Sequence, residues 1–301
     1  MTGKIIAVAN MKGGVGKTTT VVSLAETLAA GLAKPILVVD LDAQANASIC
    51  LAGDSLLADL IEGGRTVDAF IEDNLFLSRR VKLVDYVQKQ ISNVTHRGNP
   101  LPVSLVASSS HLRLLEREIV FALTERKFGL NAIVGHLSKL MDRQFRELAA
   151  VYPYIIIDCA PGISALTEVS IRLADLVIVP TIADFLSTFG LETFCSSLWR
   201  GPLAQRTSLP LPKRPPYVLI TRKRQTNEHN QTAALMRQKA REPDPAFHIF
   251  KTEVPEKIKI AEALGRISVF PTFTNKWGAD VVPVLGKLAK EMREALNGAQ
   301  S

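Results

Sequence analysis

A short β-branched run, Ile5-Ile6-Ala7-Val8-Ala9, passes directly into the glycine-rich stretch Lys12-Gly13-Gly14-Val15-Gly16-Lys17-Thr18-Thr19. That stretch opens a segment from Thr18 to Ala30 with helical spacing at Val22, Ala25, Leu28 and Ala29. A strand that hands over to a helix through glycines constrains the chain more than any other feature. The turn has to lie at the carboxyl end of a parallel strand, because the helix carries the chain back to the start of the next one. Gly31 is expected to end the helix. Pro35-Ile36-Leu37-Val38-Val39-Asp40 reads as the next strand, apolar throughout as in a sheet buried on both faces. Tyr154–Asp158 and Leu176–Pro180 repeat the pattern, Tyr217–Thr221 adds another strand, and helices fall between them, for example over 112–124 and 130–150. This alternation predicts an α/β fold, a doubly wound, mostly parallel β-sheet with helices on both faces.

Residues 51–110 hold short helical pieces, the pair Gly63-Gly64 and the loop Arg97-Gly98-Asn99-Pro100, so a helical insertion of two or three short helices is expected there, ahead of a strand at Val103–Val106. Residues 201–216 contain five prolines and read as a surface connection. Val284, Leu285, Leu288, Met292 and Leu296 form a stripe on a last helix at about 280–297. With no repeat or low-complexity block, residues 1–301 are expected to form a single domain.

Charge is uneven along the 301 residues. Residues 1–200 carry 19 Lys and Arg against 20 Asp and Glu, whereas residues 201–270 carry 13 against 6, which holds essentially the whole +7 excess. Such a concentration fits an anionic partner, of which nucleic acid is the usual one, or else a solvated basic surface. The three cysteines (Cys50, Cys159, Cys195) lie far apart without a CxxC pair, which suggests neither a disulfide framework nor a zinc site. No apolar run approaches the ~18 residues of a membrane span, and the first residues lack the pattern of a signal peptide, so a cytoplasmic location is expected.

Glycines let a backbone wrap closely around phosphate oxygens, while loop N–H groups and a helix N-terminus supply partial positive charge. In Lys12–Thr19, Lys17 can reach the β- and γ-phosphates of a nucleotide and the Thr18 hydroxyl can ligate Mg²⁺. The common phosphate-loop spacing places glycine five residues before Gly16. Met11 stands there, and a second lysine, Lys12, opens the loop instead.

That departure is itself a family mark. KGGVGKTT after a strand resembles the deviant Walker A motif of the ParA/MinD family of P-loop ATPases, here closest to ParA-type partition ATPases without an N-terminal helix-turn-helix. Asp40-Leu41-Asp42-Ala43-Gln44-Ala45-Asn46 resembles the family's switch segment, with alanines at 43 and 45 for the usual Pro and Gly; Ile155–Gly162 resembles its Walker B segment; and Val254–Ala263 resembles a later ParA stretch. The resemblance implies that Lys12 reaches across an ATP-dependent homodimer to the partner's phosphates and that Asp42 positions the attacking water. It implies likewise that Asp40 and Asp158, with Thr18, serve the Mg²⁺ site, and that Val254 and Pro255 lie against the adenine, the phosphates being held by Lys12, Gly13, Gly14, Val15, Gly16, Lys17, Thr18 and Thr19. Implied activity is slow ATP hydrolysis stimulated by a ParB-like or cargo-adaptor protein. Implied location is the nucleoid, through DNA binding without sequence preference; Arg222, Lys223, Arg224, Lys257, Lys259 and Arg266 are the basic residues assigned to it.

Two rivals share the loop variant. A MinD-like regulator would hold a membrane with its last helix, but the stripe here has no bulky aromatic, and Glu291 and Glu294 interrupt its basic face, so packing on the parent domain is expected. A nitrogenase-reductase-like electron carrier needs cysteines at a cluster, and only Cys159 lies in the right region.

Overall fold

Strand residues with alternate side chains buried on opposite faces build one parallel sheet in a computed structural model that describes residues 2–92, 94–125, 130–199, 212–265 and 272–298. The elements begin with β1 (Lys4–Val8), α1 (Lys17–Leu32), β2 (Ile36–Leu41), α2 (Asn46–Glu62) and α3 (Val67–Leu75). A single 3₁₀ turn at Leu83–Tyr86 leads to the short strands β3 (Thr95–His96) and β4 (Asn99–Pro100), then β5 (Val103–Val106), α4 (His111–Glu125) and α5 (Leu130–Ala149). Next come β6 (Tyr154–Cys159), α6 (Ala165–Leu173), β7 (Leu176–Ile182), α7 (Phe185–Thr188), α8 (Leu191–Trp199) and β8 (Tyr217–Thr221). The described chain closes with α9 (Asn227–Lys239), β9 (His248–Ile249), α10 (Ile258–Ala263), α11 (Phe273–Trp277) and α12 (Val282–Leu296).

Seven strands pair in the order β5-β2-β6-β1-β7-β8-β9, every pair parallel. The first strand therefore lies at the centre, between two strands made some 150 residues later, with Ile5 paired to Ile155. Ile6 and Val8 of β1 and Ile36 and Val38 of β2 face α1 and α12. Their neighbours Ile5, Ala7, Leu37 and Val39 face α3 to α6. Both faces are covered, which is why these strands are apolar without alternation.

Several expectations hold and several need correcting. The sheet class, and the strands at 103–106 and 217–221, are as the sequence predicts. The helix expected to stop at Gly31 runs to Leu32 and stops at Ala33, which takes the left-handed conformation (φ 49) so that its N–H closes on the Ala29 carbonyl. The loop expected at 97–100 is a tight hairpin, with Arg97 (φ 52) and Gly98 (φ 80) at its turn. The connection expected over 201–216 lies outside the described residues as far as 211. The stripe of α12 is turned inward: Leu285, Leu288, Met292 and Leu296 are buried in the cluster that includes α1. No helix among the described residues is long and apolar enough to cross a membrane.

Trp277 and Lys276 of α11 meet Glu26 of α1 inside this layer. The Lys276 ammonium donates to Glu26 Oε1 at 2.6 Å and the Trp277 indole N–H to Oε2 at 2.7 Å, with the paired side chains only 4% and 1% exposed.

Candidate nucleotide site

The glycine loop leaves the carboxyl end of β1 at the sheet's centre. Gly14 (φ 73) and Gly16 (φ 88) both occupy the left-handed region, which explains glycine at these two places. Gly16 is also the N-cap of α1 and supplies no side-chain acceptor, so the first N–H groups of the helix are left for an anion. Two residues outside the motif hold the loop. Asn10 donates to the Pro180 carbonyl at 2.7 Å and accepts the Lys12 N–H at 3.1 Å, tying the loop's start to β7. The Thr221 hydroxyl, at the end of β8, donates to the Val15 carbonyl at 2.7 Å and lies 3.1 Å from the Thr181 carbonyl.

Lys17 is 7% exposed and its ammonium donates across the loop to the Lys12 carbonyl at 3.0 Å. Burial pulls its pKa down, while Asp158 and Asp42 act in the opposite direction. Lys12 is half-buried, and its ammonium has no hydrogen-bond or ion-pair partner among the described residues.

Register brings the acids together. Asp40 of β2 and Asp158 of β6 are paired across adjacent parallel strands, and Asp158 is also paired with Val8 of β1 beside the loop. Thr18 donates its hydroxyl to Asp158 Oδ2 at 2.8 Å, and Asp158, 1% exposed, has an Oδ1 with no partner. Burial first, then the charge of Asp40, holds its carboxyl well above the ordinary range. An orphaned carboxylate oxygen beside a threonine hydroxyl is the hard-oxygen set that Mg²⁺ prefers. Among the described residues no group of three or more His, Cys, Asp or Glu is arranged to hold a metal alone, so phosphate and water oxygens would complete such a shell.

Asp40 points elsewhere. Its carboxylate accepts from the Ser48 hydroxyl at 2.7 Å, the Ser48 N–H at 2.8 Å and the Asp42 N–H at 3.0 Å, and burial raises its pKa to about 6. In this geometry it orders the turn from β2 into α2. Ala45, where the family pattern has glycine, is the N-cap of α2 and is left-handed (φ 51). Asp42 reaches the cavity, and among the described residues its carboxylate accepts one hydrogen bond, from the Gln44 N–H at 2.9 Å. Cys159, next to Asp158, is buried, and that burial pushes its thiol up, so it offers no nucleophile.

Opposite the loop, the segment before α10 runs along the end of β8. The Val254 N–H donates to the Ile220 carbonyl at 2.9 Å, the Lys223 N–H donates back to the Val254 carbonyl at 3.0 Å, and the Glu256 N–H donates to the Lys223 carbonyl at 3.0 Å. Val254, Pro255, Ile260, Ala261 and Leu264 thus form an apolar wall facing Gly13 to Thr20 across a cavity of about 500 Å³. That volume and mixture of surfaces suit a mononucleotide, base on the apolar wall and phosphates on the loop.

The basic residues assigned to DNA are less uniform. Lys223 turns inward, 9% exposed, with its ammonium on Asn230 at 2.5 Å and the Arg224 carbonyl at 3.3 Å. Arg222 and Arg224 are exposed, but both pair with Glu256. Lys257 pairs with Asp280 at 3.1 Å and Lys259 with Glu262 at 3.2 Å. Arg266 lies outside the described residues. Sequence reasoning missed Thr221, Asn10 and His229, whose Nδ1 accepts the Arg224 N–H at 3.2 Å; none belongs to a motif, and only the tertiary packing reveals them.

Comparison with known proteins bears on the family and the fold. A family model described as an AAA domain matches residues 3–203. The chain is 32% identical over 190 residues to the chromosome partitioning protein ParA of Myxococcus xanthus, an alignment covering 63% of this chain and 56% of that protein, little more than half its length. Among solved structures, an McdA–ATP complex from Cyanothece superposes with a TM-score of 0.69 at 19% identity, covering 99% of this chain and 98% of that one. A pNOB8 ParA bound to nonspecific DNA superposes with a TM-score of 0.65 at 19% identity, covering 99% and 100%. At such identities the two structures speak for the fold.

Proposed function

The chain belongs to the ParA/MinD family of P-loop ATPases, and from that premise we propose that it is a partition or positioning ATPase that binds ATP with Mg²⁺ in the cavity between the glycine loop and Val254–Leu264. The observation that carries this reading is convergence: Asp42 after β2 and Asp158 of β6 meet Lys17 and Thr18 of the glycine loop, so three separate segments supply one site. Thr18 and Asp158 would hold the cation, which when bound neutralises charge building on the phosphates. Lys17 adds a fixed charge there. Asp42, whose carboxylate is otherwise little engaged, aligns water for attack, and Asp40 holds the turn that presents it. Phosphoryl transfer asks for positioning and charge more than covalent help, so this set suffices.

Lys12 is the loop's uncommitted charge, and we assign it to the phosphates of a second copy in an ATP-dependent homodimer. That dimer binds DNA without sequence preference through basic residues of the 201–270 stretch, and a ParB-like or cargo-adaptor protein stimulates slow hydrolysis and release. Arg224, Lys257 and Lys259 already pair with carboxylates, which DNA phosphates have to displace, and the counterions released as those phosphates are neutralised make retention fall with salt.

Light scattering with AMP-PNP and retention on nonspecific DNA across a salt series test this together. Lys12→Ala and Lys17→Ala should remain monomeric and release DNA, whereas Asp42→Ala should persist on DNA with ATP. Unchanged dimerisation in both lysine variants would refute the sandwich.

A further inference from the structure

Arg222 stands immediately after β8 in the left-handed region (φ 49), an uncommon conformation for a residue with a Cβ. That turn aims its guanidinium back over the glycine loop. Nη1 lies 3.4 Å from the Gly14 carbonyl, and Arg222 lines the nucleotide cavity. Its other nitrogens rest on Glu256 Oε1, Nε at 3.2 Å and Nη2 at 2.9 Å. Arg224 holds the same carboxylate from another side, with Nη2 at 3.0 Å from Oε1 and Nε on Oε2, but it does not line the cavity. One carboxylate is thus shared between two guanidiniums at the rim of a loop suited to an anion.

The contact between Arg222 and Glu256 is open to water, the side chains being 50% and 31% exposed, so it is readily exchanged. A terminal phosphate carries more charge than a carboxylate, and the guanidinium fork matches its oxygens equally well. We propose that Arg222 is a contact to the terminal phosphate of a bound nucleoside triphosphate, parked on Glu256 until the loop fills, so that Glu256 and the nucleotide compete for one guanidinium. This rests on the nucleotide reading of the cavity and adds a means of telling triphosphate from diphosphate.

Calorimetric titration of the full chain with AMP-PNP and with ADP, each with Mg²⁺, tests it. Arg222→Gln should weaken AMP-PNP by about tenfold, as loss of one charge-assisted contact does, and ADP by less than about threefold. Glu256→Gln should act in the opposite direction, tightening AMP-PNP by roughly two- to fivefold through loss of the competitor. Arg224→Gln should stay within about threefold of wild type, its guanidinium being exposed and outside the cavity lining. Equal losses in the Arg222 and Glu256 variants would make the pair purely structural and overturn the proposal. So would a loss in Arg224→Gln as large as in Arg222→Gln, or an Arg222→Gln effect equal for both nucleotides. Wild-type protein that binds neither nucleotide overturns the nucleotide reading itself, and this proposal with it.

Discussion

Replacing Glu26 by Gln tests whether the buried junction between α1 and α11 holds the phosphate-loop helix in place. Glutamine keeps the shape and the acceptor for the Trp277 indole but leaves the Lys276 ammonium, 4% exposed, without its counter-charge. Removing one partner of a buried pair costs roughly 3–5 kcal/mol, chiefly because the remaining charge stays buried and uncompensated. The ammonium also lies 5.5 Å from the centre of the Trp277 ring, which softens that penalty slightly. Three kcal/mol or more should lower the melting temperature by on the order of 10 °C. Urea unfolding followed by tryptophan fluorescence measures the loss directly, with the slope unchanged if the unfolded state is the same. The variant Glu26→Gln/Lys276→Met removes both charges and should recover about 2 kcal/mol relative to the sum of the single losses. If Glu26→Gln stays within about 1 kcal/mol of wild type, or if the double variant is strictly additive, the buried charge is not what the junction depends on.

Thr221→Val removes the hydroxyl that donates to the Val15 carbonyl while keeping the side chain's shape. It should cost about 1–2 kcal/mol in thermal unfolding and weaken ADP binding, with Thr221→Ser close to wild type in affinity; a serine variant as impaired as the valine one would remove the hydroxyl from the explanation. Glu256 should titrate far below an ordinary glutamate, at about 2, because hydrogen bonds from Arg224 and then Arg222 favour its ionised form. Its folded pKa lies below the unfolded one, so the fork's stabilisation is present above pH 4.5 and fades as pH falls toward 2. Carboxyl-carbon NMR reads this directly, and Arg224→Gln should move the midpoint back up; an unmoved midpoint would show that the fork is not formed in solution.

Sequence made the strands legible because a strand covered on both faces has no choice but to be apolar along its length, as Ile36 to Val39 and Ile155 to Ile157 are. It made the loop legible because Gly14 and Gly16 meet a backbone requirement that few residues can satisfy. The left-handed Ala45 and Arg222 were hidden for the converse reason: nothing in an alanine or arginine announces a conformation forced on it by its neighbours. Basic residues were legible as charges but not as surfaces. Lys223 finds Asn230 within its own turn and helix, whereas the carboxylate that holds Arg222 and Arg224 comes from more than 30 residues away. Asp40 illustrates the same gap, since its position beside Asp158 follows from register, but its commitment to Ser48 depends on how α2 folds back.

The central position of β1 bears on how the protein is made. Its partners β6 and β7 lie about 150 and 170 residues downstream, so β1 has neither of its neighbours until some 150 further residues have been made. At ordinary translation rates that delay is roughly 10–30 s, during which an apolar segment and an unformed glycine loop travel unpaired. Nascent chains stalled before Tyr154 should therefore engage holding chaperones, and release should coincide with emergence of the strand that first gives Ile5 and Ala7 something to pair with.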